Sequence, residues 1–233
     1  MQRIGLLGGM SHESSALYYS LINELVNERL GGYHSARCVL ASVDFAEVER
    51  MQATGDWDAA AALLASEARG LRAAGADFLV LCTNTMHKVA DQVEQASGLP
   101  LLHLADVTGD AVREAGLRTV GLLGTRFTME QPFYTERMAA RGLTVLTPEE
   151  NQRELVHQVI YSELVHGEVR EESRRRYREV IDSLVARGAS GVVLGCTEIE
   201  LLVRPEDSPV PVFATTRLHA EAAVGRALGS STR

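Results

Sequence analysis

The chain has 233 residues, 45% of them hydrophobic and 23% charged, a composition typical of an ordinary globular protein with one large or two small domains. Its formal net charge of −8 argues against general binding to nucleic acids or anionic membranes. The sequence predicts neither a signal peptide nor an apolar run of membrane-spanning length, so we expect a cytoplasmic protein whose three widely spaced cysteines are free thiols.

Short apolar strands alternate with helices through the first half of the chain. The first strand, residues 4–7, stops at two glycines and leads into a helix over residues 14–30. The elements predicted after it are a strand at 37–43, a strand and turn at 43–50, a helix at 59–74, a strand at 77–82, a helix at 86–96, a strand at 100–104 and a helix at 106–115. This alternation predicts a parallel α/β sheet.

The second half of the chain repeats features of the first. IGLLG at residues 4–8 matches VGLLG at 120–124, the strand that ends at Cys82 matches the one that ends at Cys196, and Pro100 matches Pro211 before a helix. Each pair is separated by about 110 residues, which suggests a duplicated unit. General likeness among α/β strands could explain one match, but it explains less well three matches in the same order that repeat a Cys-Thr pair.

A duplication predicts two pseudo-symmetric lobes, each a parallel, flavodoxin-like sheet flanked by helices. We place residues 1–98 plus 210–233 in the first lobe and 99–209 in the second. Ligands of open α/β sheets bind outside the carboxyl ends of the strands. We therefore expect the active site in the cleft between the lobes, with Cys82 and Cys196 on opposite walls.

Cys82 stands between a strand end and a predicted helix start, a position that favours the thiolate. The polar residues that follow, Thr83, Asn84 and Thr85, together with free helix amides, could hold a substrate carboxylate. One such element alone is more often a buried structural cysteine whose neighbours cap a helix.

The second copy of this motif favours the catalytic interpretation over the structural one. Cys196 has the same local setting and is followed by Thr197 and Glu198, of which Glu198 could either orient the site or cap its helix. Two opposed thiols suit inversion of a stereocentre, because one group removes a proton from one face and the other delivers a proton to the opposite face. No lysine motif of the pyridoxal type is recognisable, so nearby hydroxyls and amides would have to stabilise the carbanion.

Several further residues are weaker candidates. Gly8-Gly9-Met10-Ser11 forms either a tight turn or a ligand loop, and Thr125 offers a hydroxyl at the matching place in the second half. Gln52 is a plausible substrate contact, whereas His166 could meet an acidic side chain or lie on the surface. The remaining histidines lack metal-ligand spacing, so we expect no metal.

At these motifs the sequence resembles the aspartate/glutamate racemase family. The resembling stretches are IGLLGGMS, CTNT, GLLGT, LGCTE and TTRLHA, which extend over nearly the whole chain. The resemblance implies two α/β lobes, a homodimer, no cofactor, and Cys82 and Cys196 as opposed acid and base. It implies substrate contacts at Met10, Gln52, Thr83, Asn84, Thr85 and Thr197.

Two departures from glutamate racemases bear on the substrate. Where those enzymes carry Asp-Ser at the first turn and His after the second Cys-Thr, this chain has Met10-Ser11 and Glu198. Arg50 and His166 are imperfect matches for the groups that hold a distal carboxylate in some aspartate racemases. We expect an acidic amino acid, aspartate or glutamate, with a broader substrate range left open.

Two other functions remain open from the sequence. One is a reaction on the same fold, such as a maleate isomerase with a covalent cysteine or a decarboxylase. The other is a two-lobed protein that binds an amino acid without catalysis.

Overall fold

Alternating strands and helices build the protein, and a computed structural model describes them over residues 1–229. In that range the strands are β1 (Ile4–Gly8), β2 (Cys38–Ser42), β3 (Phe78–Leu81), β4 (Leu101–Leu102), β5 (Thr119–Gly124), β6 (Thr144–Leu146), β7 (Val192–Gly195) and β8 (Val212–Ala214). The helices are α1 (His12–Leu30), α2 (Phe45–Thr54), α3 (Trp57–Ala73), α4 (Ala90–Ser97), α5 (Leu104–Glu114), α6 (Arg126–Glu130), α7 (Pro132–Ala139), α8 (Glu150–Ser162), α9 (Glu171–Ala186), α10 (Ile199–Leu202) and α11 (Thr215–Leu228).

The strands form two four-stranded sheets with the same topology. The first has the order β2-β1-β3-β4 and the second the order β6-β5-β7-β8, and every pairing within them is parallel. Leu81, the last residue of β3, pairs with Leu7, and Gly195, the last residue of β7, pairs with Gly124. The predicted fold of two parallel sheets flanked by helices is confirmed, and Cys82 and Cys196 follow equivalent strands.

Apolar side chains cover both faces of the first sheet. Leu7, Leu79 and Leu81 point into a core formed with α2, α3 and α4, while Leu6 and Val80 point into a core formed with α1 and α11. Successive side chains of a strand point to opposite faces, so a central strand that is buried on both faces needs a continuous apolar run. This requirement is why the short runs of the sequence identify β1 and β3.

The second sheet is buried in the same manner. β7 is buried along its whole length and β5 at all but its first residue. Leu123, Val192 and Leu194 pack with residues of α8 and α9, including Tyr177, in one apolar cluster. Fully burying an aliphatic side chain contributes roughly 2 kcal/mol, so these few central residues supply much of the stability of the sheet.

The chain divides into two compact units. One contains Met1–Leu104 and the chain from His219 onward, and the other contains Ala105–Leu218. The predicted lobe boundaries differ because β4 pairs with β3 and β8 with β7, which assigns each of these strands to the opposite unit from the one predicted. Residues 230–233 of the predicted first lobe lie outside the described residues.

Two local predictions are wrong. Residues 43–50, interpreted as a strand and turn, belong largely to α2. Asp44 caps the start of this helix, because its side chain accepts a hydrogen bond from the Ala46 amide. The helix predicted at 86–96 is instead a 3₁₀ turn at Thr85–Val89 followed by α4.

No helix within residues 1–229 combines the length and the apolar character needed to cross a membrane.

Candidate active site

Cys82 opens a loop of three buried residues, 82–84, which we call the Cys82 loop. Its backbone amide donates to the Leu7 carbonyl at 2.9 Å and so extends the sheet by one residue. Its thiol is completely buried and contacts the Val80 carbonyl oxygen at 3.7 Å. Burial raises the pKa of this thiol far above its ordinary value, so Cys82 is protonated at neutral pH.

The first turn of the chain holds the Cys82 loop from one side. The Ser14 hydroxyl donates to the Cys82 carbonyl at 3.0 Å, and the Ser11 hydroxyl caps α1 by accepting from the Ser14 amide at 3.2 Å. Gly9 has a φ of +93°, and a Cβ there would collide with the backbone of Val43. The glycine is therefore required by the turn, and its neighbour Met10 is buried in the apolar core.

Histidine 87 supports the Cys82 loop from behind. Its Nδ1 lies 2.7 Å from the Thr83 carbonyl oxygen, and its Nε2 lies 3.1 Å from the Leu104 amide nitrogen. Because an amide N–H can only donate, Nε2 accepts, and the proton on Nδ1 is donated to Thr83. This buried, neutral imidazole links the Cys82 loop to the residue at which the chain leaves the first unit.

The other predicted contacts of the first unit lie near this loop. Thr83, Asn84 and Thr85 are buried directly after Cys82. Gln52 lies on α2 rather than after a strand, is 5% exposed, and donates from Nε2 to the Met86 sulfur at 3.0 Å. Gln52 therefore reaches the turn that follows the Cys82 loop, although its partner is a methionine.

Cys196 opens the equivalent loop of the second unit, residues 196–198, which we call the Cys196 loop. Its sulfur lies 3.0 Å from Oε2 of Glu198, and the residues are 7% and 8% exposed. Burial, the Glu198 charge and the hydrogen bond to that carboxylate raise the pKa of the thiol well above its ordinary value. The backbone amides of Glu198 and Ile199 act in the opposite direction by favouring the thiolate.

Burial outweighs the predicted stabilisation of both thiolates by helix starts. Cys82 is followed by a 3₁₀ turn and Cys196 by the four-residue helix α10, and neither has a side-chain cap. A macrodipole needs several aligned turns, so these short elements exert little field on the sulfur atoms. Desolvation consequently dominates at both thiols.

The remaining predicted residues of the second unit have different surroundings. Thr197 is 5% exposed in the Cys196 loop, between the thiol and its carboxylate partner. Thr125 caps α6 by accepting from the Thr128 amide at 3.3 Å, which gives its hydroxyl a structural role. His166 is exposed at the end of the 3₁₀ turn Leu164–His166.

Two further ionisable groups of the second unit, the buried Tyr177 and the half-buried Glu200, were not identified from the sequence. Tyr177 of α9 donates its hydroxyl to the Val156 carbonyl at 2.9 Å, and the pKa of this phenol is raised by burial and by the nearby Cys196. Glu200 accepts from the Thr216 amide at 2.9 Å, and burial raises the pKa of its carboxyl to about 7. Tyr177 lies within the charged run ESRRRYRE at residues 172–179, so the sequence pattern offered little signal of a buried phenol.

Each unit thus presents a buried thiol at the carboxyl end of the third strand in its sheet order. In neither unit is the sulfur part of a metal site, because residues 1–229 contain no group of three or more His, Cys, Asp or Glu placed to hold a metal ion. Both sulfurs are instead protonated thiols near neutral pH, a state suited to donating a proton.

The comparison with known proteins identifies relatives over nearly the full length. The Asp/Glu/Hydantoin racemase family matches residues 7–223. The crystal structure of a proposed Asp/Glu racemase from Yersinia pestis is 53% identical, with a TM-score of 0.92, and the match covers 98% of this chain and 100% of that one. An aspartate racemase homologue from Pyrococcus horikoshii is 29% identical, with a TM-score of 0.86 and the same coverage. The broad specificity amino-acid racemase RacX from Bacillus subtilis is 21% identical over 154 residues, 66% of each chain.

Proposed function

This chain belongs to the Asp/Glu/Hydantoin racemase family and is an amino-acid racemase, and from this premise we propose that Cys82 and Cys196 invert the α-carbon by two-base proton transfer. One sulfur removes the α-proton from one face while the other delivers a proton to the opposite face. In the reverse direction the two sulfurs exchange roles. The mechanism requires both sulfurs to flank one bound α-carbon.

The equivalence of the two cysteines carries this proposal. Cys82 directly follows Leu81, the last residue of β3, which pairs with β1. Cys196 directly follows Gly195, the last residue of β7, which pairs with the equivalent strand β5. Binding alone gives no reason for a buried thiol at both places, whereas inversion needs one proton carrier on each face. A carbanion formed at the α-carbon would be stabilised by polar groups of Thr83, Asn84, Thr85 and Thr197.

The substrate we propose is an acidic amino acid, aspartate or glutamate. The names of the Yersinia pestis and Pyrococcus horikoshii relatives favour this class, whereas the name of RacX favours a broader range. The enzyme would act without pyridoxal phosphate, as a homodimer in the cytoplasm. Met10 and Gln52 would contribute to the walls of the substrate site, and His166 would approach an acidic side chain.

A deuterium-exchange experiment tests the reaction and its substrate together. Purified protein without pyridoxal phosphate is incubated in deuterated buffer with a panel of L- and D-amino acids, and the α-proton signal is followed by NMR. We expect both enantiomers of an acidic amino acid to lose this signal and to interconvert. Exchange with every neutral amino acid but no acidic one would refute the proposed substrate class.

Three cysteine variants test the mechanism in the same assay. Cys82→Ser and Cys196→Ser should each lower the inversion rate by about 100-fold or more, because a serine hydroxyl is a far weaker acid. Cys38→Ser is the matched control, since Cys38 is a free, half-buried cysteine in β2. Full inversion by both single variants would refute the two-thiol mechanism.

A covalent reaction is separated by mass spectrometry of the intact protein. A maleate isomerase-like enzyme would attach substrate to one sulfur, and the protein mass would rise by the mass of the substrate. We expect no such adduct under turnover conditions.

A further inference from the structure

The two thiols have different proton acceptors beside them. Cys196 donates to a carboxylate oxygen of Glu198 at 3.0 Å, whereas Cys82 faces the Val80 carbonyl oxygen at 3.7 Å. A carboxylate can take up a proton and become a neutral acid, but a peptide carbonyl cannot do so near neutral pH. Only the Cys196 contact can therefore exchange its proton within the loop.

The matching motifs differ at the same place. The third residue of the first motif is Asn84, a neutral amide, and the third residue of the second is Glu198. The carboxylate is 8% exposed, and a buried charge is retained at a cost unless it has a partner. The hydrogen bond between this carboxylate and the Cys196 thiol therefore belongs to the second unit, since the matching residue of the first unit carries no charge.

Charge conservation favours a proton shift inside this pair. The starting pair of thiol and carboxylate carries one negative charge, and so does the pair of thiolate and carboxylic acid. Loss of the thiol proton to solvent would instead leave two negative charges 3.0 Å apart at a buried site. The amides of Glu198 and Ile199 already favour negative charge on the sulfur.

We propose that Glu198 is the proton acceptor that converts Cys196 into the base of the racemase, an inference that rests on the proposed two-thiol mechanism. The S–H bond of Cys196 breaks and an O–H bond forms on Glu198. The Cys196 thiolate then takes the α-proton, and the Cys82 thiol gives its proton to the opposite face. After product leaves, Glu198 releases its proton to solvent and Cys82 takes one up, which restores the starting state. The opposite direction runs through the same steps reversed.

Glu198→Gln tests this role with two measurements, both of which should fall. The turnover number should fall by about 100-fold or more, as expected when a proton acceptor is lost. The rate of Cys196 alkylation by iodoacetamide, relative to that of Cys82 in the same molecules, should also fall by about 10-fold, because glutamine cannot take the thiol proton as the sulfur attacks. A carboxylate that only repels the thiolate would instead raise this ratio when it is removed. Peptide mass spectrometry gives this ratio at a fixed pH.

Two further variants separate proton transfer from a structural effect. Glu198→Asp keeps a carboxylate and should recover part of the turnover number lost in Glu198→Gln. Glu206→Gln is the control, because Glu206 is an exposed carboxylate of the same unit that lies 3.9 Å from the Arg204 guanidinium and contacts no thiol. It should leave the turnover number and the alkylation ratio near the wild-type values.

The outcomes distinguish this inference from the mechanism on which it rests. Wild-type turnover in Glu198→Gln, or an unchanged or higher alkylation ratio, overturns the role of Glu198 if Cys196→Ser is inactive. Wild-type turnover in Cys196→Ser overturns the two-thiol mechanism itself. If Glu198→Gln does not fold, the same two measurements on Glu198→Asp decide, and wild-type values for both overturn the inference.

Discussion

His219 makes the stability of the first unit dependent on pH. It is completely buried, with Tyr18 donating its hydroxyl to Nδ1 at 2.9 Å and Nε2 lying 2.8 Å from the Leu102 carbonyl oxygen. A carbonyl can only accept, so Nε2 carries the proton and the ring is neutral. Burial lowers the pKa of this imidazole to about 4.

The sign and size of the effect follow from linkage. The unfolded chain, with a histidine pKa of about 6.5, binds a proton in acid more readily than the folded protein does. The stabilising contribution is therefore complete above about pH 6.5 and disappears as the pH falls toward 4. The difference between the two pKa values corresponds to roughly 3 kcal/mol of unfolding free energy.

Urea unfolding of wild type and His219→Gln, followed by circular dichroism at a series of pH values between about 7 and 4.5, measures this contribution. Near neutral pH the variant should be less stable by about 2 kcal/mol, because two hydrogen bonds are lost or weakened. The gap should shrink as the pH falls, since only the wild type carries the penalty. His34→Gln, at an exposed histidine, should show no such trend. A gap of constant size at every pH would refute the reasoning.

Two further predictions concern the turn that supports the Cys82 loop. Ser14→Ala removes the donor to the Cys82 carbonyl and should lower the unfolding free energy by about 1 kcal/mol in urea titrations, with a larger proportional loss of turnover number than of substrate affinity. Gly9→Ala should lower the melting temperature and cost about 1–3 kcal/mol, because its φ of +93° and the adjacent Val43 backbone leave no place for a Cβ. Wild-type stability in either variant would contradict the corresponding contact.

The fold could be predicted because its central strands are buried on both faces. The apolar runs ending near Leu81 and Leu194 have no amphipathic alternative, and the repeated motifs place them in equivalent sheets. The short outer strands were harder to assign. β4 has only two residues and β8 three, so their pairing partners, which decide the unit boundary, depend on tertiary contacts.

Helix α2 was missed although its boundaries carried local signals. Asp44 caps its start and Gly55, in the left-handed conformation, ends it. Its buried residues, Val48 and Gln52, lie four positions apart, which is the spacing of one helix face. The polar character of Gln52 hid this periodicity, because a buried glutamine breaks the apolar pattern on which the prediction relied.

The equivalent strand-end positions of the two cysteines were predictable, but the state of their protons was not. Strand-end position and repetition identify Cys82 and Cys196 from sequence, whereas their raised pKa values depend on complete burial and on the contact between Cys196 and Glu198. That contact joins residues two positions apart, and its formation depends on the backbone path of the Cys196 loop. The same two-residue spacing in the first loop places a neutral Asn84 after Cys82.

Duplication and divergence therefore account for different parts of the proposed chemistry. A repeated sheet gives the two thiols equivalent positions, as inversion through two proton carriers requires. Two identical buried thiols, however, would both remain protonated, since burial opposes each thiolate in the same way. A carboxylate in one loop allows one thiolate to form, because it can accept the proton of its own cysteine without adding charge to the buried site. Under the proposed mechanism, the difference between Asn84 and Glu198 decides which thiol first becomes the base.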